Sequence, residues 1–350
     1  MDNYNDPFPA GWTGSDFLLD PWTYCYNNST FQRNRDPPIN YGGSYSGDVV
    51  TEKARGFLDD ALAKYKSSGT PFFLTVAPVA PHGTVCPRVN DTVYRAPPIP
   101  AERHKHLFAD SIVPRTANFN PDKPSGAQWI AGLARQNQTN IDYNDDYYRA
   151  RLRSLQSVDE MIDSLIKRLD HAGELDNTWI VYSTDNGFHV GQHRMQPGKQ
   201  SPYEEDLNIP MIIRGPDVKK GVSTDIITSH ADLAPTFLQI AGASVPDDFI
   251  LDGQAMPLPS SGAPGPFIGS EYNSAMPLQD LRQEQVNVEH WGIHIPEGKY
   301  GMIEYSQNTY KAMRLVSDGL NVQYTVWCTG EHELYNLDVS PHLLVGFMDS

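Results

Sequence analysis

The chain has 350 residues, enough to bury one large core or two smaller ones. Its formal net charge of -16 argues against nucleic acid or an anionic membrane surface as partner, although local cations can still hold a small anion. Hydrophobic and charged contents of 39% and 20% are those of an ordinary globular protein, and no apolar run approaches the ~18 residues of a membrane span.

The first forty residues, rich in Asn, Pro, Gly and Tyr, read as irregular with a short hairpin. From Ser46 onward Val49, Val50, Lys53, Ala54, Phe57, Leu58, Ala61 and Leu62 recur at three- and four-residue steps, which predicts a helix. Gly69 and Pro71 end it. Residues 72–76 form an apolar run expected of a strand covered on both faces. Residues 78–126 hold many prolines and little periodicity, and are expected as a long surface excursion over the active face. The clearest element follows: Tyr148, Leu152, Leu155, Val158, Ile162, Leu165, Ile166 and Leu169 make one apolar helical stripe, closed by Gly173. Residues 179–184 and 210–213 predict a second and a third strand. Asp232 is expected to cap a helix over 233–241, ended by Gly242.

Helices alternating with apolar strands imply an α/β fold, a largely parallel sheet flanked by helices. After the Pro/Gly/Ser-rich stretch at 257–266 the texture changes, and residues 299–327 read as short antiparallel strands. The expected division is a catalytic-type domain over 1–256 and a smaller C-terminal α+β subdomain over 257–350. Cys25, Cys86 and Cys328 are too few for a disulfide framework or a zinc site, so one disulfide at most is expected. Sequons at Asn27, Asn28, Asn90 and Asn137 lean towards a secreted glycoprotein. The opening MDNYNDPFPAGW, however, lacks the basic and apolar regions of a signal peptide.

In parallel sheets, sites form beyond the carboxyl ends of the strands. The loop after 72–76 carries Pro81-His82-Gly83, and the loop after 179–184 carries Asp185, Asn186, His189, His193 and Lys199. Asp and Asn oxygens suit a hard cation such as calcium, while His and Lys suit an anion beside it. Together they point to a metal-assisted site for a sulfate or phosphate ester. Taken singly the residues are ordinary: Asp185-Asn186-Gly187 reads as an Asx turn, His82 as a loop histidine and Lys199 as a solvated lysine. His189 and His193 are four apart, but Gly187, Gly191 and Pro197 argue against the helix a zinc pair would need. Only the order and spacing of the whole set are specific.

VAPVAPHG, then WIVYSTDNGFHVGQHRMQPGKQSPYEEDLNIPMIIRGP, SHADLAPTFLQIAG, LDGQAM and HELYNLDVSP closely resemble the sulfatases of the alkaline phosphatase superfamily. The nearest branch is that of fungal arylsulfatases and glucosamine-6-sulfatases, and the resemblance covers nearly the whole chain. It implies calcium-assisted hydrolysis of a sulfate monoester, an aryl sulfate or sulfated sugar as partner, and an extracellular or secretory-lumen location for a full-length member. It implies Asp185 and Asn186 as calcium ligands, His82 and Lys199 as sulfate-binding catalytic groups, and His189 as a further active-site histidine. The family's nucleophile is a formylglycine within C/S-x-P-x-R, and this sequence holds no such motif; Cys86-Pro87-Arg88 lacks the intervening positions. The family's early Asp-Asp pair is missing too. The expectation is therefore an N-terminally truncated sulfatase-fold chain, inactive alone, with a partial calcium site. A non-catalytic binder of sulfated glycans or of a partner, and a phosphomonoester or phosphonate hydrolase, are the alternatives.

Overall fold

The computed structural model describes residues 9–87, 93–224, 226–243, 250–258, 284–300, 304–317, 319–342 and 347–349. The Asn90 sequon and most of the stretch at 257–266 lie outside them.

The opening segment contains more than a hairpin. Strands β1 (Asp16–Leu18), β2 (Thr30–Arg33) and β3 (Ile39–Asn40) form a three-stranded antiparallel sheet. Helix α1 (Ser46–Ser68) buries Val49, Ala54, Leu58 and Leu62, and Gly69 closes it at φ 68°. Its N–H donates to the Tyr65 carbonyl at 2.7 Å, a left-handed cap that glycine adopts without strain. A hairpin of β4 (Thr84–Pro87) and β5 (Val93–Ala96) follows, then the short helix α2 (Gln128–Ala131).

Helix α3 (Gln138–His171) is the longest element and begins ten residues before the apolar stripe. The Asn137 side chain caps it, accepting from the Asn140 N–H at 3.0 Å. Next come β6 (Ile180–Tyr182), α4 (Glu204–Leu207), β7 (Ile212–Arg214) and α5 (Leu233–Ile240). Strands β8 (Gln285–His290), β9 (Tyr310–Ser317), β10 (Leu320–Trp327), β11 (His332–Asn336) and β12 (Phe347–Asp349) complete the chain. They make one antiparallel sheet in the order β12-β11-β10-β9-β8.

Four expectations change. Residues 72–76 are extended but belong to no ladder, and their exposure alternates. Phe72 and Leu74 pack with Leu58, Leu62, Leu169 and Ile180, whereas Phe73 is 60% exposed and lies against the rings of Trp12 and Phe237. An apolar run announced burial, and one face has it. The sheet is also not parallel where it is described: β6 pairs antiparallel with β7, Ile180 opposite Arg214, and every other described strand pair is antiparallel too. Third, residues 78–126 are no mere surface excursion. They bury Ala101, His104, Val113, Asn118 and Asn120, and Asp145 of α3 clamps them through the Val113 N–H (2.9 Å) and Arg115 (2.6 Å). Finally, the cap of α5 lies one turn earlier than expected. Ser229 and Asp232 form a reciprocal capping box around the turn His230–Asp232 that leads into the helix.

The C-terminal sheet does not pack on itself alone. Tyr310, Ala312, Trp327, Tyr335 and Leu337 share one core with Trp129, Ile130, Met195 and Tyr203. Gln323 also reaches across to donate to the Pro202 carbonyl. This shared core presses the sheet and its leading loop, residues 291–300, against the segment that carries Lys199.

Candidate active site

His82 stands on a wall built by residues 24–26. The Tyr24 ring stacks on the imidazole at 4.0 Å, Cys25 is disulfide-bonded to Cys86, and the Tyr26 hydroxyl donates to the His82 carbonyl at 2.7 Å. His82 Nδ1 lies 2.8 Å from the Gly83 carbonyl, an acceptor, so this nitrogen carries the proton and Nε2 faces the site. Gly83 is required for close approach: a Cβ there would sit 2.4 Å from the Tyr147 hydroxyl. Behind the wall, the half-buried Arg151 of α3 donates to the Pro81 carbonyl at 3.1 Å and lies 3.9 Å over the Phe188 ring. Burial pulls its pKa below the ordinary arginine value, opposed by Tyr147 and Glu297.

The second loop leaves β6. Asp185 is exposed, its Oδ1 accepting from the Asn186 N–H at 3.0 Å, while Asn186 Nδ2 donates to the Gly187 carbonyl at 2.6 Å. The expected Asx turn is not formed, because the Gly187 N–H it needs donates to the Asp206 carbonyl at 2.8 Å. Side-chain oxygens of both residues stand at the strand end. Gly187 and Phe188 donate to the carbonyls of Asp206 and Glu205, and a Cβ at Gly187 would fall 2.0 Å from the Glu205 oxygen.

His189 and Gly198 exchange backbone hydrogen bonds at 2.9 and 3.1 Å. The buried Asp206 carboxylate contacts His189 Nδ1 through both oxygens at 3.0 Å and accepts from the Ser201 N–H at 2.7 Å. Asp206 and His189 therefore grip the chain on both sides of Lys199 and fix where that lysine emerges. His189 itself is fully buried, its ring 5.4 Å from that of His294, so it backs the loop and does not face solvent. His193 turns elsewhere, to Ser125 Oγ at 3.2 Å and the Tyr203 ring at 4.1 Å; burial, aided by His189, pushes its pKa down to about 3. The two histidines share no metal geometry.

His82 and Lys199 do come together. Both point at one oxygen, Glu297 Oε1, which lies 3.6 Å from His82 Nε2 and 3.5 Å from Lys199 Nζ. Burial raises the Tyr24 pKa, as do the charges of Asp20, Glu297 and Asp185, so the exposed aspartate lies within electrostatic reach of the same corner. Glu297, Asp206, Arg151 and Tyr147 were not singled out in the sequence. Asp206 carried a signal, its place in the YEEDLNIP block. Glu297, a lone acid between Pro296 and Gly298, carried none.

A calcium ion takes about 6–8 oxygen ligands. Asp185 and Asn186 supply the right donor type but too few, and among the described residues no group of three His, Cys, Asp or Glu converges as a metal site. The residues present do not by themselves fit the ion.

The sulfatase family model matches residues 2–243. The chain belongs to the sulfatase family. It is 39% identical to an arylsulfatase of Volvox carteri over 97% of this chain and 53% of that protein. It is 30% identical to the N-acetylglucosamine-6-sulfatase of Bos taurus over 92% of this chain and 55% of that one. The chain thus spans about half the length of these curated relatives. Among solved structures, a protein in complex with its substrate D-glucosamine-2-N,6-O-disulfate superposes with a TM-score of 0.70 at 22% identity, over 97% of this chain and 72% of that one. The chain has the alkaline phosphatase-like α/β fold of its structural neighbours.

Proposed function

We propose that this site serves the hydrolysis of a sulfate monoester, with His82 and Lys199 as the groups that hold the ester. The observation that carries the reading is their convergence from two separate loops on a single anionic oxygen. In that role Lys199 Nζ donates to a sulfuryl oxygen, as does His82 Nε2 when the ring is an imidazolium, and charge growing on the departing alcohol oxygen is met by donors already in place. Water is the second reactant, and the products are the alcohol, sulfate and a proton. Asp206 and His189 act behind Lys199 as positioning residues. Asp185 and Asn186 contribute two oxygens to a calcium site that residues 1–350 complete only in part. The division at residues 256 and 257 remains part of the reading, as two units joined through a shared core.

The relatives' names support two substrate classes, aryl sulfates and sulfated glucosamine. The Cys25–Cys86 bridge supports work where disulfides persist, outside the cell or in the secretory lumen. Because the sequence holds no C/S-x-P-x-R, we propose that this polypeptide alone binds the ester without turning it over.

Calorimetry with phenyl sulfate and with N-acetylglucosamine 6-sulfate tests the reading. Both Lys199→Ala and His82→Ala are expected to weaken binding about tenfold, and a colorimetric aryl sulfate is expected to stay intact. Binding indifferent to both substitutions would overturn the site, and turnover abolished by Lys199→Ala would overturn the inactivity. Calcium is expected to bind only in the millimolar range or not at all, so a micromolar isotherm lost in Asp185→Ala would show a complete metal site.

A further inference from the structure

Glu297 enters the site from the loop before β9, and its position is firmly set. Its N–H and that of Gly298 donate to the Pro197 carbonyl at 2.8 and 3.2 Å, two residues before Lys199. The neighbouring Ile295 N–H donates to Gln200 Oε1 at 3.0 Å, one residue after it. Oε1 meets His82 and Lys199 as described, while Oε2 is buried with no hydrogen-bond partner. Oε2 lies 3.4 Å from the point a Cβ of Gly83 would occupy, on the Tyr147 side of the pocket. The carboxylate also acts on the half-buried Arg151 through its charge. The titratable groups facing Glu297 are therefore His82, Lys199, Arg151, Tyr147, Tyr24 and Tyr26.

A pocket shaped only to attract anions would not hold a fixed carboxylate where the half-buried His82 and Lys199 converge, because that carboxylate repels every anion arriving there. Its cost depends on the charge of the arrival. A sulfate monoester carries one negative charge. A phosphate monoester of the same tetrahedral shape carries about -1.5 to -2 at pH 7, its second pKa being about 6. Attraction to the pocket grows in proportion to that charge, whereas the Born cost of leaving water grows with its square. Lowering the pocket's positive potential by one unit charge therefore removes the dianion's advantage first. Shape cannot separate the two esters; charge can.

We propose that Glu297 is the residue by which this site accepts singly charged sulfate esters and rejects doubly charged phosphate esters. The inference rests on the reading that His82 and Lys199 hold the ester, and goes beyond it by assigning the selectivity to a carboxylate from the C-terminal part of the chain.

The test measures binding of phenyl sulfate and phenyl phosphate to residues 1–350 at pH 7.5 and fixed ionic strength. The unsubstituted chain, Glu297→Gln, Glu297→Asp and Lys199→Ala are compared. The unsubstituted chain is expected to prefer the sulfate ester. Glu297→Gln is expected to move the ratio of the two affinities towards phosphate by about tenfold or more, since a unit charge a few ångströms away exerts an effect of this order or larger. Glu297→Asp keeps the charge and is expected to keep most of the preference. Should Glu297→Gln not fold, the unsubstituted chain at pH 5 serves instead. There phenyl phosphate carries about one charge, and the preference for sulfate is expected to collapse. A ratio unchanged by Glu297→Gln, or by pH where that variant fails, overturns the proposal, as does an equal gain for both esters. Two results would mean that the anion site itself was misread: no ester binding to the unsubstituted chain, or binding of both esters indifferent to Lys199→Ala. Loss of both in Lys199→Ala with an unmoved ratio in Glu297→Gln removes only the role of Glu297.

Discussion

Residues 185–201 and the apolar segments at 72–76 and 212–214 reverse what their sequences suggest. The first is rich in Gly, His and Gln and has almost no regular structure, yet its backbone is tied down by Asp206, by the reciprocal His189–Gly198 pair and by residues 295–298. The second pair is rich in Phe, Leu and Ile and looks like buried sheet. Yet Phe73 is 60% and Ile212 61% exposed, and among the described residues β7 pairs on one side only, with β6. Order at this site comes from satisfied polar groups, not from secondary structure. Regular apolar runs can be its least constrained part.

The comparison breaks most visibly at Asp206. Removing it strands a buried histidine and the Ser201 N–H, and Asp206→Ala is expected to cost about 3–5 kcal/mol, the range for breaking a buried pair. Denaturant unfolding reads it; a loss under 1 kcal/mol would mean the loop is held mainly by its backbone.

The His82 wall should be nearly as sensitive. Cys25 and Cys86 are 61 residues apart, and closing a loop of that size contributes about 4 kcal/mol in the chain-entropy model. Cys25→Ser with Cys86→Ser is expected to lose stability of that order and to weaken ester binding. Unchanged binding in a folded double variant would show that Tyr24 and Tyr26 hold His82 unaided.

Acid sharpens the contrast, because the buried histidines lie in and behind the polar loop. Burial, with His189 adding to it, holds His193 and His294 down to about 3, whereas an unfolded histidine titrates near 6.5. Between those values the unfolded chain binds more protons at both positions, so stability falls as pH falls below about 6.5. Glu333 acts in the opposite sense. Burial raises it to about 7, so the folded chain holds its proton and stability grows as pH falls from about 7 to the unfolded value near 4.3. Two histidines outweigh one glutamate, leaving a net loss of about 1.4 kcal/mol per pH unit, or about 3 kcal/mol from pH 6.5 to 4.5. Unfolding free energies across that range check the slope, and Glu333→Gln should steepen it.

The smallest effect on stability belongs to the apolar side. Ile212→Lys lies on an exposed edge strand and is expected to change stability by no more than about 0.5 kcal/mol. It should also lessen self-association, because a lysine there blocks edge pairing. Light scattering against concentration checks it. A large destabilisation would show that β7 is buried in solution.

The stripe from Tyr148 to Leu169 was legible as one helix because helical period and apolar character agreed. Gly69 and Gly173, at φ 68° and 75°, were legible as its stops and those of α1. The DNG-to-GK block marked the site for the same reason, order and spacing together. What could not be read was direction and partnership. Alternating exposure at 72–76 depends on which side α1 and α3 occupy. The antiparallel run of β6 and β7 depends on how the intervening loop turns back. His189 belonged to the right constellation, but only the facing Asp206 shows that its ring points inward. Glu297 reaches Lys199 from almost a hundred residues along the chain, a pairing that no local pattern encodes.

The bridge between Cys25 and Cys86 gives the corner a memory of where the polypeptide matured. With the sulfurs joined, Tyr24, Cys25 and Tyr26 are stapled to the strand that follows His82. With them reduced, the backbone tie between the two segments among the described residues is one contact of 3.4 Å, from the Val85 N–H to the Tyr24 carbonyl. Identical sequences produced in a reducing cytosol and in an oxidising lumen would then present two different imidazoles to the same ester. Any comparison of preparations has to begin by counting free thiols, with Cys328 as the one that is always there.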